Sequence, residues 1–300
     1  MTTAVRLGPR SVVSLVLASL VGVMAFAWPL LVQPGAGLAH GTDAPLVFAL
    51  VLPLVIGIVV AQLSEGGLDS KALAMLGVLS ALGAALRPLG AGTAGVETVF
   101  FLLVLGGRVF GPGFGFVQGA LTLFASALLT GGVGPWLPFQ MLGAAWVGLG
   151  AGLLPAARGK VEVALLAAWA WASSLLYGLA LNLSFWPFTL GPSTQLSFVP
   201  GDPLLDNLHR FGLFTLATSL GWDVGRAITT TVLVVLVGPA VLAALRRAAR
   251  RAAFDAPVGF DPPGSAQARD SRSEGAGRRP PQAAGSGRGG AHLPPEHRRG

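Results

Sequence analysis

Few side chains in this sequence can do chemistry, so those that can are conspicuous. Arg87 and Glu97 face each other across the turn PLGAGTAGV, each beside an apolar run. An ionisable group in hydrocarbon costs roughly 2.5–3.5 kcal/mol on insertion scales, so a pair at this depth has a reason to be there. It either frames a ligand pocket or serves as a helix-end anchor or structural ion pair. Gln140, Asn182 and Gln118 lie inside apolar runs, where an amide is costly unless hydrogen-bonded. Bonding between helices is the commoner use, but Gln140 and Asn182 lie towards the side from which a ligand would enter. Asp223, in SLGWDVGRA, is a further acid on that side. Trp136, Trp186 and Trp222 offer flat apolar faces, either as an interfacial belt or as pocket lining. A few placed polar groups among aromatic faces suit the binding of a large amphipathic molecule.

Catalytic signatures are missing. The chain lacks G-x-x-x-x-G-K-[ST] and H-E-x-x-H, so it has neither the phosphate-cradling loop nor the helical zinc pair. Gly111, Gly113 and Gly115 are spaced wrongly for a dinucleotide fingerprint and follow an apolar run. The four histidines, His40, His209, His292 and His297, have no metal-ligand spacing. With no cysteine, disulfides and thiolate sites are excluded. The sequence calls for no metal and no cofactor, and it points away from an enzyme.

The elements that carry these residues are apolar. The chain is 53% hydrophobic and 11% charged, against about 25% charged in a soluble domain. It has the composition of an all-α polytopic membrane protein. Apolar segments run Ser11–Val32, Pro45–Leu63, Ala72–Leu86, Val96–Val109, Phe114–Leu129, Trp136–Leu154, Val161–Leu183 and Ala227–Leu245. A span needs about 20 residues, and the third, fourth and fifth segments fall short. Short, Gly/Pro-interrupted segments occur where helices break around a binding site. The first segment has two readings. Arg6 and Arg10 precede it and Ala25-Phe26-Ala27 resembles a cleavage site, yet the apolar run continues long enough to span.

Basic residues set the orientation. Eight spans put both termini on one side with Arg6, Arg10, Lys71, Arg108, Arg158, Lys160, Arg246, Arg247, Arg250 and Arg251, leaving Arg87, Arg210 and Arg226 opposite. The termini are therefore expected in the cytoplasm, with the protein in the cell membrane. The net charge of +7 is not a nucleic-acid signal, because more than half of the 20 basic residues are arginines after Leu245. The segment after Phe254 is too rich in Gly, Pro, Arg and Ser to bury a core and is expected to be disordered. Its approach, RRAARRAAF, suits anionic headgroups of membrane lipids. A long external connection, Ser184 to Arg226, carries Phe185, Trp186, Phe188, Phe198, Phe211, Phe214 and Trp222. Its aromatic content predicts an ordered cap, with Phe211–Leu220 as a re-entrant or interfacial helix.

Small residues recur every fourth position at Gly77, Ala81 and Ala85, at Gly115 and Gly119, and at Ala144, Gly148 and Gly152. Such seams let helix backbones approach closely in lipid, within one bundle or between two proteins.

ALGAALRPLG, FGPGFGFVQGALTLFASALLTGGVGPWLPFQMLGAAWVGLGAGLLP and NLSFW resemble the S components of energy-coupling factor transporters, nearest to actinobacterial members of the group that includes the cobalamin-specific ones. The resemblance spans residues 72–253. It implies a six-helix membrane domain that captures a vitamin from outside and works with a T component and two ATPase subunits. It places the T-component contact at Ala81 and Ala85, the A-x-x-x-A positions, with Gly77 extending them. It places the pocket in the external stretches 87–97, 131–140 and 182–226, hence at Arg87, Glu97, Trp136, Gln140, Asn182, Trp186, Trp222 and Asp223. Two additional N-terminal spans within residues 1–71, the long external connection and the basic tail 254–300 depart from the family pattern. The implied ligand is a vitamin, cobalamin before riboflavin or another. Two further classes stay open: an integral membrane enzyme acting on lipid or prenyl substrates, which needs more clustered Asp, Glu or His than this chain has, and a non-binding scaffold subunit.

Overall fold

Why the glycines recur becomes plain where two helices meet backbone to backbone. In the computed structural model, which describes residues 9–31, 57, 70–90, 93–189 and 194–252, the chain forms α1 (Pro9–Leu31), α2 (Ser70–Leu86), a 3-10 turn (Arg87–Gly90), α3 (Val99–Phe110), α4 (Pro112–Thr130), α5 (Leu137–Leu153), α6 (Gly159–Thr189), α7 (Leu204–Thr218), α8 (Leu220–Leu236) and α9 (Gly238–Ala252). These described residues include no strand. Helices α4 and α5 run antiparallel in one-turn steps: a Cβ on Gly119 would strike Ala144 O, one on Gly115 would strike Gly148 O, and one on Gly152 would lie 2.5 Å from Pro112 N. Gly107 of α3 also meets Gly148 O. The seams at Gly115–Gly119 and Ala144–Gly148–Gly152 are therefore each other's partners, inside the bundle.

Local chemistry sets the boundaries. Gly111 (φ 107) turns the chain between α3 and α4, and Pro112 occupies the first turn of α4, where its missing N–H costs nothing. Gly131 (φ 66) ends α4 and donates its N–H to Ala127 O, as left-handed helix caps do. Around the glycine contact lies a core of Phe100, Leu103, Phe110, Phe114, Phe116 and Leu142, each no more than 2% exposed. Helix α1 crosses α5 and α6: Phe26 packs edge-on against Phe139 (5.2 Å) and tilted against Trp146 (5.3 Å), and Trp146 Nε1 donates to Ser19 Oγ at 3.2 Å. The Ala25-Phe26-Ala27 stretch thus sits inside a continuous, packed helix. The outer surface is apolar, with Val13, Leu20, Val78, Leu176 and Leu236 all more than half exposed, as lipid-facing residues are.

The protein is a helical membrane protein. Val12–Leu30, Lys71–Gly90, Pro112–Thr130 and Gly159–Trp186 are long and apolar enough to cross a bilayer, and α7 with α8, bent by 63°, qualifies as a fifth span. Helices α3 and α5 are shorter. The segment Pro45–Leu63, Gly57 excepted, and the tail after Ala252 lie outside the described residues.

Three expectations change. The third and fifth apolar segments are not short: α4 has 19 residues, and α2 with its 3-10 turn gives a 20-residue span, Lys71–Gly90. The segment Ala227–Leu245 is not one helix, because the chain breaks at Val237 and Gly238-Pro239 follows; Pro cannot donate to the preceding turn. The connection 184–226 is mostly helical, since α6 runs to Thr189 and α8 begins at Leu220. The aromatic cap is present over its described part. Trp186, fully buried, packs on Phe198 (5.3 Å) and Phe211 (5.4 Å) and donates Nε1–H to Leu196 O at 2.6 Å.

Candidate ligand site at one end of the bundle

The charged residues fall into two groups at opposite ends of the helices. At the end where α3 stops and α6 starts, Arg108 Nε (2.7 Å) and Arg246 Nη2 (2.6 Å) both bind Glu162 Oε1. Arg108 also donates to Leu154 O at 3.0 Å, closing the end of α5. This group ties α3, α6 and α9 together.

The other end holds the candidate site, and glycines build it. Gly95 has φ 80, and a Cβ there would strike Trp222 O; a Cβ on Gly225 would strike Ala94 O. Only with both side chains absent does the turn 93–97 lie flat on α8. That contact brings Glu97 to Arg226: Nε donates to Oε2 at 3.0 Å and Nη2 to Oε1 at 3.3 Å. Ala94 takes φ 39, an uncommon value for a residue with a Cβ, in the same contact. Thr98 Oγ1 donates to Leu86 O at 2.7 Å and fixes the far end of the turn.

Arg226 is the centre. Its Nη1 donates to Asp223 Oδ1 at 2.8 Å and to Ser174 O at 3.1 Å. The guanidinium lies 5.0 Å from the Tyr177 ring centre and 5.5 Å from that of Phe100, within cation–π range of both. A Cβ on Gly178 would fall on the Asp223 carboxylate, so that glycine clears space for the acid. Asp223 Oδ2 accepts from Ser219 Oγ at 3.2 Å, and Ser219 Oγ accepts from Asn182 Nδ2. Glu97, Arg226, Asp223, Ser219 and Asn182 thus form one chain linking the turn, α6 and α8. One guanidinium between two carboxylates leaves the group formally negative, in a bundle interior where charge is costly to hold.

Arg87 does not pair with Glu97. Its Nη2 donates to Gln140 Oε1 at 3.1 Å and its Nη1 to Ser126 Oγ at 3.5 Å. Tyr177 nonetheless lies within electrostatic range of Arg87, Glu97, Arg226 and Asp223 together, so the two polar sets share one neighbourhood. Gln118, fully buried lower in α4, donates Nε2–H to Leu102 O at 3.3 Å, a bond between helices.

The tryptophans separate. Trp186 is the core of the cap, one helical turn beyond Asn182. Trp136 and Trp222 are 44% and 47% exposed, and Trp136 donates to Gly132 O at 3.1 Å. Their rings face outward, as interfacial residues do.

Arg226 is the functional candidate that sequence reasoning placed in a loop. Its signal was present in W-D-V-G-R, an acid and a base at i, i+3 ahead of an apolar run. The single tyrosine of the chain, Tyr177, carried no such signal. Among the described residues no group of three His, Cys, Asp or Glu is placed to hold a metal ion. Glu97 and Asp223 are committed to hydrogen bonds and Arg226 to the two acids, an arrangement for holding and orienting polar groups.

Comparison with protein-family models, with curated proteins and with solved structures returns no match to this chain.

Proposed function

We propose that this protein is the substrate-binding S component of an energy-coupling factor importer. In this reading it captures a vitamin from outside the cell, cobalamin before riboflavin, and delivers it through a T component and separate ATPase subunits. The observation that carries the proposal is the state of the α2 seam. Gly77, Ala81 and Ala85 are exposed on the outside of the bundle, and a Cβ on Gly77 would meet nothing within 4 Å. The two other small-residue seams are consumed against each other, while this one lacks a described mate. It is the seam at which the sequence resemblance expects the T component.

The remaining parts fit the same reading. A polar set of Arg87, Glu97, Gln140, Asn182 and Asp223 sits at the capped end. Arg246, Arg247, Arg250 and Arg251 cluster with Arg108 and Glu162 at the other end, which supports a cytoplasmic placement for that end and for both termini. In this reading the six-helix domain is residues 72–253, with two N-terminal spans within residues 1–71 as additions to the family pattern.

The test is purification of the full chain from cells that also express the T component and the ATPases of the same genome. Copurification of those subunits, with a vitamin mass in the native mass spectrum, is the expected result. A protein that binds no vitamin in isothermal titration and retains none of those subunits is not an S component.

A further inference from the structure

We infer that Arg87 is the anchor for an anionic group, a carboxylate or a phosphate, on the captured small molecule. The inference rests on the substrate-capture reading and names the class of ligand that this site selects.

Among the described residues the partly or fully buried arginines divide into two kinds. Arg108, Arg210, Arg226 and Arg246 each lie within 3.0 Å of a carboxylate oxygen. Arg87 is also partly buried, but its hydrogen-bond partners are the neutral Gln140 amide and the neutral Ser126 hydroxyl. A guanidinium has five N–H donors in a fixed fork, and here two are engaged, one of them at 3.5 Å. The nearest acid along the chain, Glu97, is bound two-pronged by Arg226. No described carboxylate therefore makes an ion pair with Arg87.

The two neutral partners have a positioning effect. Ser126 and Gln140 accept from the two terminal nitrogens and come from α4 and α5. They fix the plane of the guanidinium without cancelling its charge. Charge-assisted hydrogen bonds from arginine to carboxylate or phosphate are roughly twice as strong as neutral ones, and a partly desolvated arginine lacking a counter-ion is arranged to receive one from a ligand. The acids of the Arg226 group serve the same end, since binding Glu97 elsewhere keeps it from competing for Arg87. The phosphodiester of cobalamin would satisfy this site, whereas riboflavin has no anion to offer.

The test uses the full-length protein in detergent and matched pairs that differ in the anionic group: cobinamide phosphate against cobinamide, flavin mononucleotide against riboflavin, and biotin against biotinamide. Isothermal titration should show, for the pair that binds, the anionic member tighter by about tenfold or more, the scale of one charge-assisted pair. Arg87→Gln should abolish that preference, and Arg87→Lys should retain part of it, since it keeps charge but not the fork. The wild-type pairs decide the matter even where a variant folds poorly. Equal binding of both members, or a preference that survives in Arg87→Gln, overturns the inference and leaves vitamin capture standing. Binding of no member of any pair or of any other vitamin overturns the capture reading itself. A native mass spectrum in which Arg87→Gln loses a bound phosphatidylglycerol, with no change for the solutes, assigns the anion to a lipid headgroup and overturns the inference for a small molecule.

Discussion

Gly178 on α6 and Asp223 on α8 occupy what would otherwise be one volume: a Cβ on the glycine would coincide with the carboxylate. The acid that holds Arg226 is thus admitted by a missing side chain on the facing helix. Gly178→Ala should expel the carboxylate and leave Arg226 short of a partner, at a cost of about 3–5 kcal/mol for a broken buried pair. Gly77→Ala, with open space around it, should instead raise stability by roughly 0.5–1 kcal/mol through helix propensity. Thermal unfolding in one detergent checks both signs, and a Gly178→Ala protein as stable as wild type would mean that the acid does not need this space.

The two acids on Arg226 should not weigh equally. Asp223 is 5% exposed in its side chain and Glu97 31%. Arg226→Gln and Asp223→Asn should each lower the unfolding midpoint on the order of 10 °C. Glu97→Gln, whose pair is partly screened by solvent, should lower it by less than half as much. Equal shifts from all three variants would contradict the burial order.

Small-residue seams with one spacing should respond oppositely to bulk. Ala81→Leu with Ala85→Leu falls on an exposed face and should leave the fold intact while abolishing copurification with the T component. Gly148→Leu places a side chain against Gly115 O and should prevent folding. If the complex survives the α2 double substitution, the outward seam is not the docking surface.

Orientation can be checked with single cysteines, since the chain has none of its own. Gly159 and Gly201 have φ 59 and 89, so their exposed neighbours are better positions. In intact cells, Leu205→Cys should react with a membrane-impermeant maleimide and Lys160→Cys should not. Labelling of position 160 alone would invert the assignment.

Much of this architecture was legible from residue type and spacing. The apolar runs gave most helices, although the run Phe114–Leu129 stopped short of both ends of α4. Seam spacing, by contrast, records a smooth helix face and says nothing of what covers it, so Gly77–Ala81–Ala85 and Ala144–Gly148–Gly152 looked alike until their surroundings were known. Arg226 was hidden because Gly221 and Gly225, poor helix formers in isolation, made the start of α8 resemble a loop. Gly225 is tolerated because its close packing on the 93–97 turn outweighs its propensity, whereas Gly221 has open space around it. Arg87 and Glu97 flank one turn, yet each bonds across the bundle instead, and such choices depend on helix rotations that local sequence does not encode. The aromatic cap was legible in the content of the connection, but that Trp186 is its buried centre was not, because Phe198 and Phe211 reach it only after the chain doubles back.

Helix α3 has 12 residues, a rise of about 18 Å, against a hydrocarbon thickness of about 30 Å. It needs no lipid-length surface of its own, because every one of its residues except Arg108 is buried in the protein. The described turn before it is held by close backbone contacts: Gly90 packs on Val96, Gly95 on Trp222 and Gly225 on Ala94. With neighbouring helices and not lipid around it, the length of α3 is set by the bundle and not by the bilayer.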